Sequence, residues 1–273
     1  MICGFLFSIL ILYDIIIIVK KKGGNMLEPK EKNMGEIDSK CCNKIYIIGG
    51  IAALVVLVGS LLDVFIGMSL GGDLTGLPST AAGRFAQFKD NWLLGLYNLD
   101  LLNLITTLIM VPAFFALFWA HRKANGAFSG LAMTIFIIGV SAFVTCNTAL
   151  PMYELSLKYA AADAGQQTVL LGAGESMLAR GAHGSLGVFW GFSLILFSEM
   201  IMSLVMFTGK LFSKTNAIFG FAGSSLMLLY VILVTFVPAA KTAAMAVSAP
   251  GGILLIVWII MFTLRLFRLS REK

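Results

Sequence analysis

Six runs of about 20 apolar residues, separated by short polar clusters, set the pattern of the chain: 45–66, 98–119, 128–150, 184–208, 217–237 and 251–269. An α-helix rising 1.5 Å per residue needs about 20 residues to cross about 30 Å of hydrocarbon, so each run predicts a membrane-spanning helix. The runs lack the strict alternation of barrel strands, and an unpaired backbone amide in lipid costs several kcal/mol. The expected fold is therefore all-α: a polytopic transmembrane helix bundle of six spans, with a seventh left open at the N-terminus.

The polar connections differ in length. Those at 121–127 and 209–216 are short and predict that the spans they join are antiparallel neighbours. The connections 67–97 and 151–183 are about 30 residues long, and loops of that length usually carry elements of their own. In the first, Leu77-Pro78-Ser79-Thr80 offers a helix N-cap, and Phe85, Phe88 and Trp92 follow at helical spacing beside Arg84 and Lys89. That pattern suits a helix lying in the membrane interface. In the second, 152–162 and 167–179 read as helices separated by Gly165, with Gly172 and Gly174 stepping the latter. Together the two connections are expected to cover one face of the bundle.

The first 44 residues read differently. Residues 2–19 form an apolar stretch broken by Asp14 and followed by Lys20, Lys21 and Lys22. No positive charge precedes it and no small-residue cleavage pattern follows, so it fits poorly as a signal peptide. Lys21-Lys22-Gly23-Gly24-Asn25-Met26 can be back-translated into a purine-rich bacterial ribosome-binding sequence ahead of a start codon. Met26 is accordingly the expected start, with residues 1–25 an over-extended frame; an additional N-terminal helix is the alternative. Residues 26–44 are lysine-rich, contain Pro29 and show no apolar helical face, which predicts a solvated tail. The transmembrane domain then spans 45–269, and 270–273 form a short polar end.

Composition narrows the class. The chain is 59% hydrophobic and 12% charged, far from the roughly 45–50% and 25% of soluble domains. A water-soluble enzyme, a disulfide-stapled secreted module and a nucleic-acid binder using the +6 charge as a binding face are all excluded. The lipid bilayer is the expected partner; a homo-oligomer is left open. Lys20, Lys21, Lys22, Lys30, Lys32, Lys40 and Lys44 precede the first span. Arg122, Lys123, Lys210, Lys214, Arg265, Arg268, Arg271 and Lys273 fall on the same side, against Arg84, Lys89, Lys158, Arg180 and Lys241 on the other. The positive-inside rule places both the Met26 tail and the C-terminus in the cytoplasm of a bacterial inner membrane.

Ionisable groups in spans are costly, by about 2.5–3.5 kcal/mol on insertion scales, which makes them candidates for function. Glu199 is the deepest carboxylate, with no Lys, Arg or His at comparable depth in another span. Ser224 and Ser225 fall at its height and are possible hydrogen-bond partners. Three readings stand: a neutral acid bridging helices, a proton or cation site, or a lipid-facing residue. Asp63 and Asp100 lie near the outer span ends, at the level of Asn98, Asn103, Asn147 and His183. If the helices converge there, they form a carboxylate-containing pocket opening outward that takes a small polar ligand or a cation. The alternative is that both aspartates are ordinary interfacial residues.

Other chemistry is poorly represented. His183-Gly184-Ser185-Leu186-Gly187 superficially suggests a serine hydrolase, but a nucleophile elbow needs glycine two residues before the serine, and a strand ahead of it. No H-E-x-x-H, P-loop, G-x-G-x-x-G or C-x-x-C occurs, so no metal or cofactor is expected. Cys3, Cys41, Cys42 and Cys146 read as unpaired thiols. His121 reads as part of a positive cluster with Arg122 and Lys123. Gly187 and Gly191 form a G-x-x-x-G, Gly184 extends that face, and Gly220 with Ser224 repeats the spacing, which predicts contact between the fourth and fifth spans. Pro112 is expected to kink the second span. An inverted repeat relating three spans to three does not align.

The segment Leu157-Lys158-Tyr159-Ala160-Ala161-Ala162-Asp163-Ala164, continued by Leu170-Leu171-Gly172-Ala173-Gly174-Glu175-Ser176-Met177-Leu178-Ala179, carries a family likeness. With Asn147 and Pro151 before it and a long span after, it resembles bacterial multi-pass membrane proteins grouped as a domain of unknown function. The resemblance extends over roughly residues 45–270. It implies a six- or seven-helix integral membrane protein without an established activity, and gives Glu175 no catalytic role. The expected function is handling or sensing of a small ligand or ion through the outward pocket, without catalysis. The alternatives are a membrane component that binds a partner protein or lipid, and an intramembrane enzyme.

Overall fold

The computed structural model describes residues 31–69 and 77–272, so the expectations for residues 1–25 lie outside the described residues. Every regular element among them is helical: α1 (Glu31–Ser69), α2 (Ala81–Asp90), α3 (Trp92–Tyr97), α4 (Leu101–Cys146), α5 (Ala149–Ala161), α6 (Ala164–Gly181), α7 (Leu186–Thr208), α8 (Lys214–Phe236) and α9 (Lys241–Leu269), with a 3₁₀ turn at Pro238–Ala240. The chain divides into two units after Cys41. Of the first, the described part is helix from Glu31 onward. The described part of the expected solvated tail, residues 31–44, is helical; its glutamates and lysines are good helix formers. Everything below concerns the second unit, from Cys42.

Among the described residues five helical stretches are long and apolar enough to cross a membrane: Asn43–Gly67, Leu101–Ala161, Ala164–Thr208, Lys214–Phe236 and Thr242–Leu269. The second of these covers 61 residues and doubles back on itself. At Asn125 the backbone leaves helical geometry (φ −150°, ψ 57°), and the rings of Phe114 and Phe136 stack with centroids 4.2 Å apart. In a straight helix those residues would be about 33 Å apart. The turn predicted over 121–127 is thus compressed to one residue. Asn125 favours non-helical backbone, Gly126 follows it, and the Ser129 hydroxyl donates to the Asn125 carbonyl at 2.9 Å. The helix contains Pro112 without a non-helical residue there, so the break is at Asn125 and not at the proline.

The two limbs of α4 with α1, α7, α8 and α9 form a ring. Gly49 of α1 sits against Ala113 and Ala116 of the first limb, and Gly50 against Phe267 of α9. On α7, a Cβ at Gly191 would lie 2.9 Å from the Phe143 backbone nitrogen, and a Cβ at Gly139 would lie 2.9 Å from that of Ile195. The fourth-span G-x-x-x-G therefore packs on the third span, where Gly187 also meets Cys146, and not on the fifth. Contact between α7 and α8 does occur, but through Gly184 beside Val234, Gly220 beside Ser203, and the Glu199–Ser224 pair. Without a strong hydrophobic drive between helices in lipid, such close approaches supply much of the association energy. The outside of the ring exposes Ile48, Phe65, Trp190, Ile253 and Leu264, a surface suited to acyl chains.

Large side chains fill one half of the ring: Phe114, Phe136, Leu117, Met202, Met206, Trp258, Phe262 and Leu266 are all buried there. His121 joins them with 0% exposure, stacked on Phe212 at 5.2 Å, its Nδ1 2.9 Å from the Leu117 carbonyl. It is therefore a core residue and not part of an exposed positive cluster, because the helix continues through it to Asn125.

At the other end α2, α3, α5 and α6 build a helical cover. Thr80 caps α2 as expected, its hydroxyl accepting from Gly83 N at 3.2 Å. Phe85 and Phe88 of α2 turn inward onto Tyr159 and Tyr153, with centroids 5.2 and 5.5 Å apart. The break in the second long connection falls at Ala162-Asp163, where the Asp163 carboxylate caps α6, and Gly165 sits inside that helix. Glu175 closes the cover by accepting the Ala81 amide at 2.7 Å, one of the orphan donors of the first turn of α2.

Candidate functional site

Between the cover and the packed half, the ring encloses a cavity of about 670 Å³. All six ring segments line it, and the lining runs from the cover-side ends of the segments to about their middle, with Glu199, Ile256 and Ile259 deepest. Asp63, Asp100, Asn103, His183 and Glu199 all reach this one cavity. Its remaining wall is mostly apolar, and neither lysine nor arginine lines it. That combination of an apolar pocket with a few convergent polar groups is the usual form of a small-molecule site.

Asp100 occupies the junction between α3 and α4 in left-handed geometry (φ 62°, ψ 27°), the one non-glycine residue with positive φ among those described. Such a conformation costs about 1–2 kcal/mol for most L-residues, with Asp and Asn the mildest cases. The surrounding bonds hold it there. The Asn103 amide donates to Asp100 Oδ1 at 3.1 Å, and His183 Nδ1 lies 3.7 Å from Oδ2. The other ring nitrogen of His183 is 2.6 Å from the Tyr230 hydroxyl. His183 is aimed by the turn that follows it, where Gly184 adopts φ +84° against Val234. Asp63, Asp100, His183 and Tyr230 thus bring α1, α4, α7 and α8 to the cover-side mouth.

Two residues of the cover support that mouth. Tyr97 donates to the Asp63 carbonyl at 3.1 Å. Burial, reinforced by the negative charge of Asp63, pushes the Tyr97 phenol above its ordinary value, so it stays a donor. Arg84 is only 4% exposed, donates to the Gln87 side chain at 3.2 Å, and keeps an unpartnered Nε. Burial lowers its affinity for a proton, while the nearby Asp100 charge acts in the opposite direction.

Glu199 lies deepest, 8% exposed, where α7 faces α8. The Ser224 hydroxyl donates to its Oε2 at 2.9 Å; Ser225 instead bonds back to Phe221 of its own helix. The second Glu199 oxygen has no hydrogen-bond donor among the described residues, and the residue lines the cavity. No basic group pairs with it.

Asn147 does not line the cavity. Its amide donates to the Leu99 carbonyl at 3.0 Å and, more weakly, toward Asp100 O at 3.4 Å, while its oxygen accepts from Ala149 N. It acts on the site by fixing the backbone on which Asp100 sits. Tyr230 and the rim positions Ser248 and Gly252 are lining residues that sequence reasoning passed over. Tyr230 offered one signal, a phenolic hydroxyl in the same span as Ser224 and Ser225. Among the described residues no group of three His, Cys, Asp or Glu is placed to hold a metal ion, and Cys146 is a free thiol.

No family model matches the chain, and neither a curated protein nor a solved structure matches it.

Proposed function

We propose that the chain is a six-crossing protein of a bacterial cytoplasmic membrane, with the cavity open outward and both ends inside, that binds a small ligand for transport or sensing. One observation carries this reading: four helical segments each send a costly polar or charged side chain to the same apolar-walled cavity. Charges scattered singly at span ends would have no reason to converge. The lysine and arginine distribution supports the orientation, and the doubling of α4 at Asn125 supports six crossings. The solid packing on the cytoplasmic half supports an outward-facing state with a closed floor. The His183–Tyr230 pair is turned toward Asp100 at the mouth, and the reading assigns it to holding the site and not to catalysis.

Ligand-dependent stability tests it. A ligand that binds the folded state alone raises its melting temperature by mass action. Gly252 lines the cavity and a Cβ there meets nothing within 4 Å, so Gly252→Phe introduces a ring at a lining position whose first side-chain atom is unobstructed. Purified full-length chain is screened against small amines, small acids and neutral apolar compounds. At least one class is expected to raise the melting temperature of the wild type and not of Gly252→Phe. Shifts that are equal in both proteins, or absent in all classes, overturn the reading.

A further inference from the structure

We infer that the ligand of this cavity is an amphipathic organic cation: an amine, quaternary ammonium or similar cationic head carried on an apolar body. This rests on the reading of the cavity as a ligand site and specifies what fills it. Three carboxylates line the space, from Asp63, Asp100 and Glu199, against one base, His183, which is already turned toward Asp100 and Tyr230. Asp63, Asp100, His183 and Tyr230 all sit toward the cover, so nothing cationic faces Glu199 from α1, α4, α8 or α9. Glu199 is more than nine-tenths buried, with one oxygen held by Ser224 and the other open to the cavity. A protonated amine supplies the missing donor and the missing charge together, and a quaternary or phosphonium head supplies the charge alone.

The walls select against the other candidates. An anion would meet three acids and no fixed cation. A bare metal ion needs several ligands at once, and among the described residues no three His, Cys, Asp or Glu are placed close enough to hold one. A proton alone needs no cavity of about 670 Å³. On the same helix as Glu199 the lining is Phe189, Phe192, Ile195 and Leu196, with Ile256 and Ile259 from α9, a surface for an apolar body.

The test uses two ions of nearly the same size and shape but opposite charge, tetraphenylphosphonium and tetraphenylborate, with the full chain in lipid nanodiscs and equilibrium binding as readout. Saturable binding of the phosphonium and not of the borate is expected. Glu199→Gln keeps an acceptor for Ser224 and should weaken phosphonium binding at least tenfold; Glu154→Gln, on the exposed face of the cover, should not change it. Should Glu199→Gln fail to fold, Gly252→Phe leaves the Glu199–Ser224 bond untouched and should abolish the saturable component. Saturable borate binding, absence of phosphonium binding, or phosphonium binding that survives both substitutions overturns the cation assignment. If that happens while the stability screen identifies a neutral or acidic compound, the ligand site stands and only its chemistry is wrong.

Discussion

The side-chain amide of Asn147 donates to the backbone carbonyl of Leu99 across 3.0 Å, joining the end of α4 to the residues just before its start. The bond closes the hairpin that α4 makes at Asn125. It also fixes the segment in which Asp100 is held in left-handed geometry. Asn147→Ala leaves buried carbonyls without a donor and removes the acceptor for Ala149 N. A loss of about 1–3 kcal/mol of folding stability is expected, measured by denaturant titration in mixed micelles. An unchanged unfolding midpoint would show that the clamp carries no energy.

Three glycines should respond to alanine in a fixed order. At Gly191 the new Cβ lies 2.8–2.9 Å from Phe143, including its backbone, which cannot step aside. At Gly220 it meets the side chains of Ser203 and Trp258, which have some freedom to move. At Gly252 it meets nothing. Overpacking costs about 1–3 kcal/mol, and relief of glycine in a helix returns up to about 1 kcal/mol. Thermal unfolding should therefore rank Gly191→Ala lowest, Gly220→Ala next and Gly252→Ala at or above the wild type. Any other ranking contradicts the ring packing described above.

His183 is the single base on the cavity wall and lies 3.7 Å from Asp100. His183→Gln keeps a hydrogen-bonding group of similar length and removes the possibility of positive charge. Phosphonium affinity is expected to hold or rise a few-fold. A tenfold loss would mean that the imidazole itself contacts the ligand, which the arrangement around Asp100 argues against.

Much of the architecture is legible in the order of residues, because the length of an apolar run and the cost of charge in lipid are simple constraints. Thr80 announces α2, and Asp63, Asp100 and Glu199 stand out against their spans. Other features depend on partners that spacing does not reveal. Gly187 and Gly191 signal a close approach, yet the neighbour is Phe143 and Cys146 of the third span. His121 sits between basic residues in sequence but faces Phe212 once the helix continues past it. Asn147 stands out as a polar residue, yet its amide is spent on backbone, a destination set only by the hairpin. Tyr230 passed unnoticed because an aromatic residue in an apolar span is ordinary.

Glu175 offers a test of the cover alone. Its carboxylate accepts the Ala81 amide at 2.7 Å, tying α6 to the first turn of α2. Glu175→Ala is expected to cost about 0.5–2 kcal/mol, within the range of lost helix caps. Hydrogen exchange should show faster opening of α2 with the exchange of α7 and α8 unchanged. Equal acceleration throughout would mean that the cover and the ring unfold as one cooperative unit.

Accessibility along the cavity tests the central claim most directly. Single cysteines at Ser60, Thr107, Ile195 and Met202 in a chain whose four native cysteines are replaced descend from the mouth toward the packed half. Intact cells are treated with a small membrane-impermeant thiol reagent. Rapid labelling at 60 and 107, slower labelling at 195 and none at 202 is the result expected of an outward cavity that ends near Glu199. Labelling at none of the four, or at 202 as readily as at 60, would contradict it.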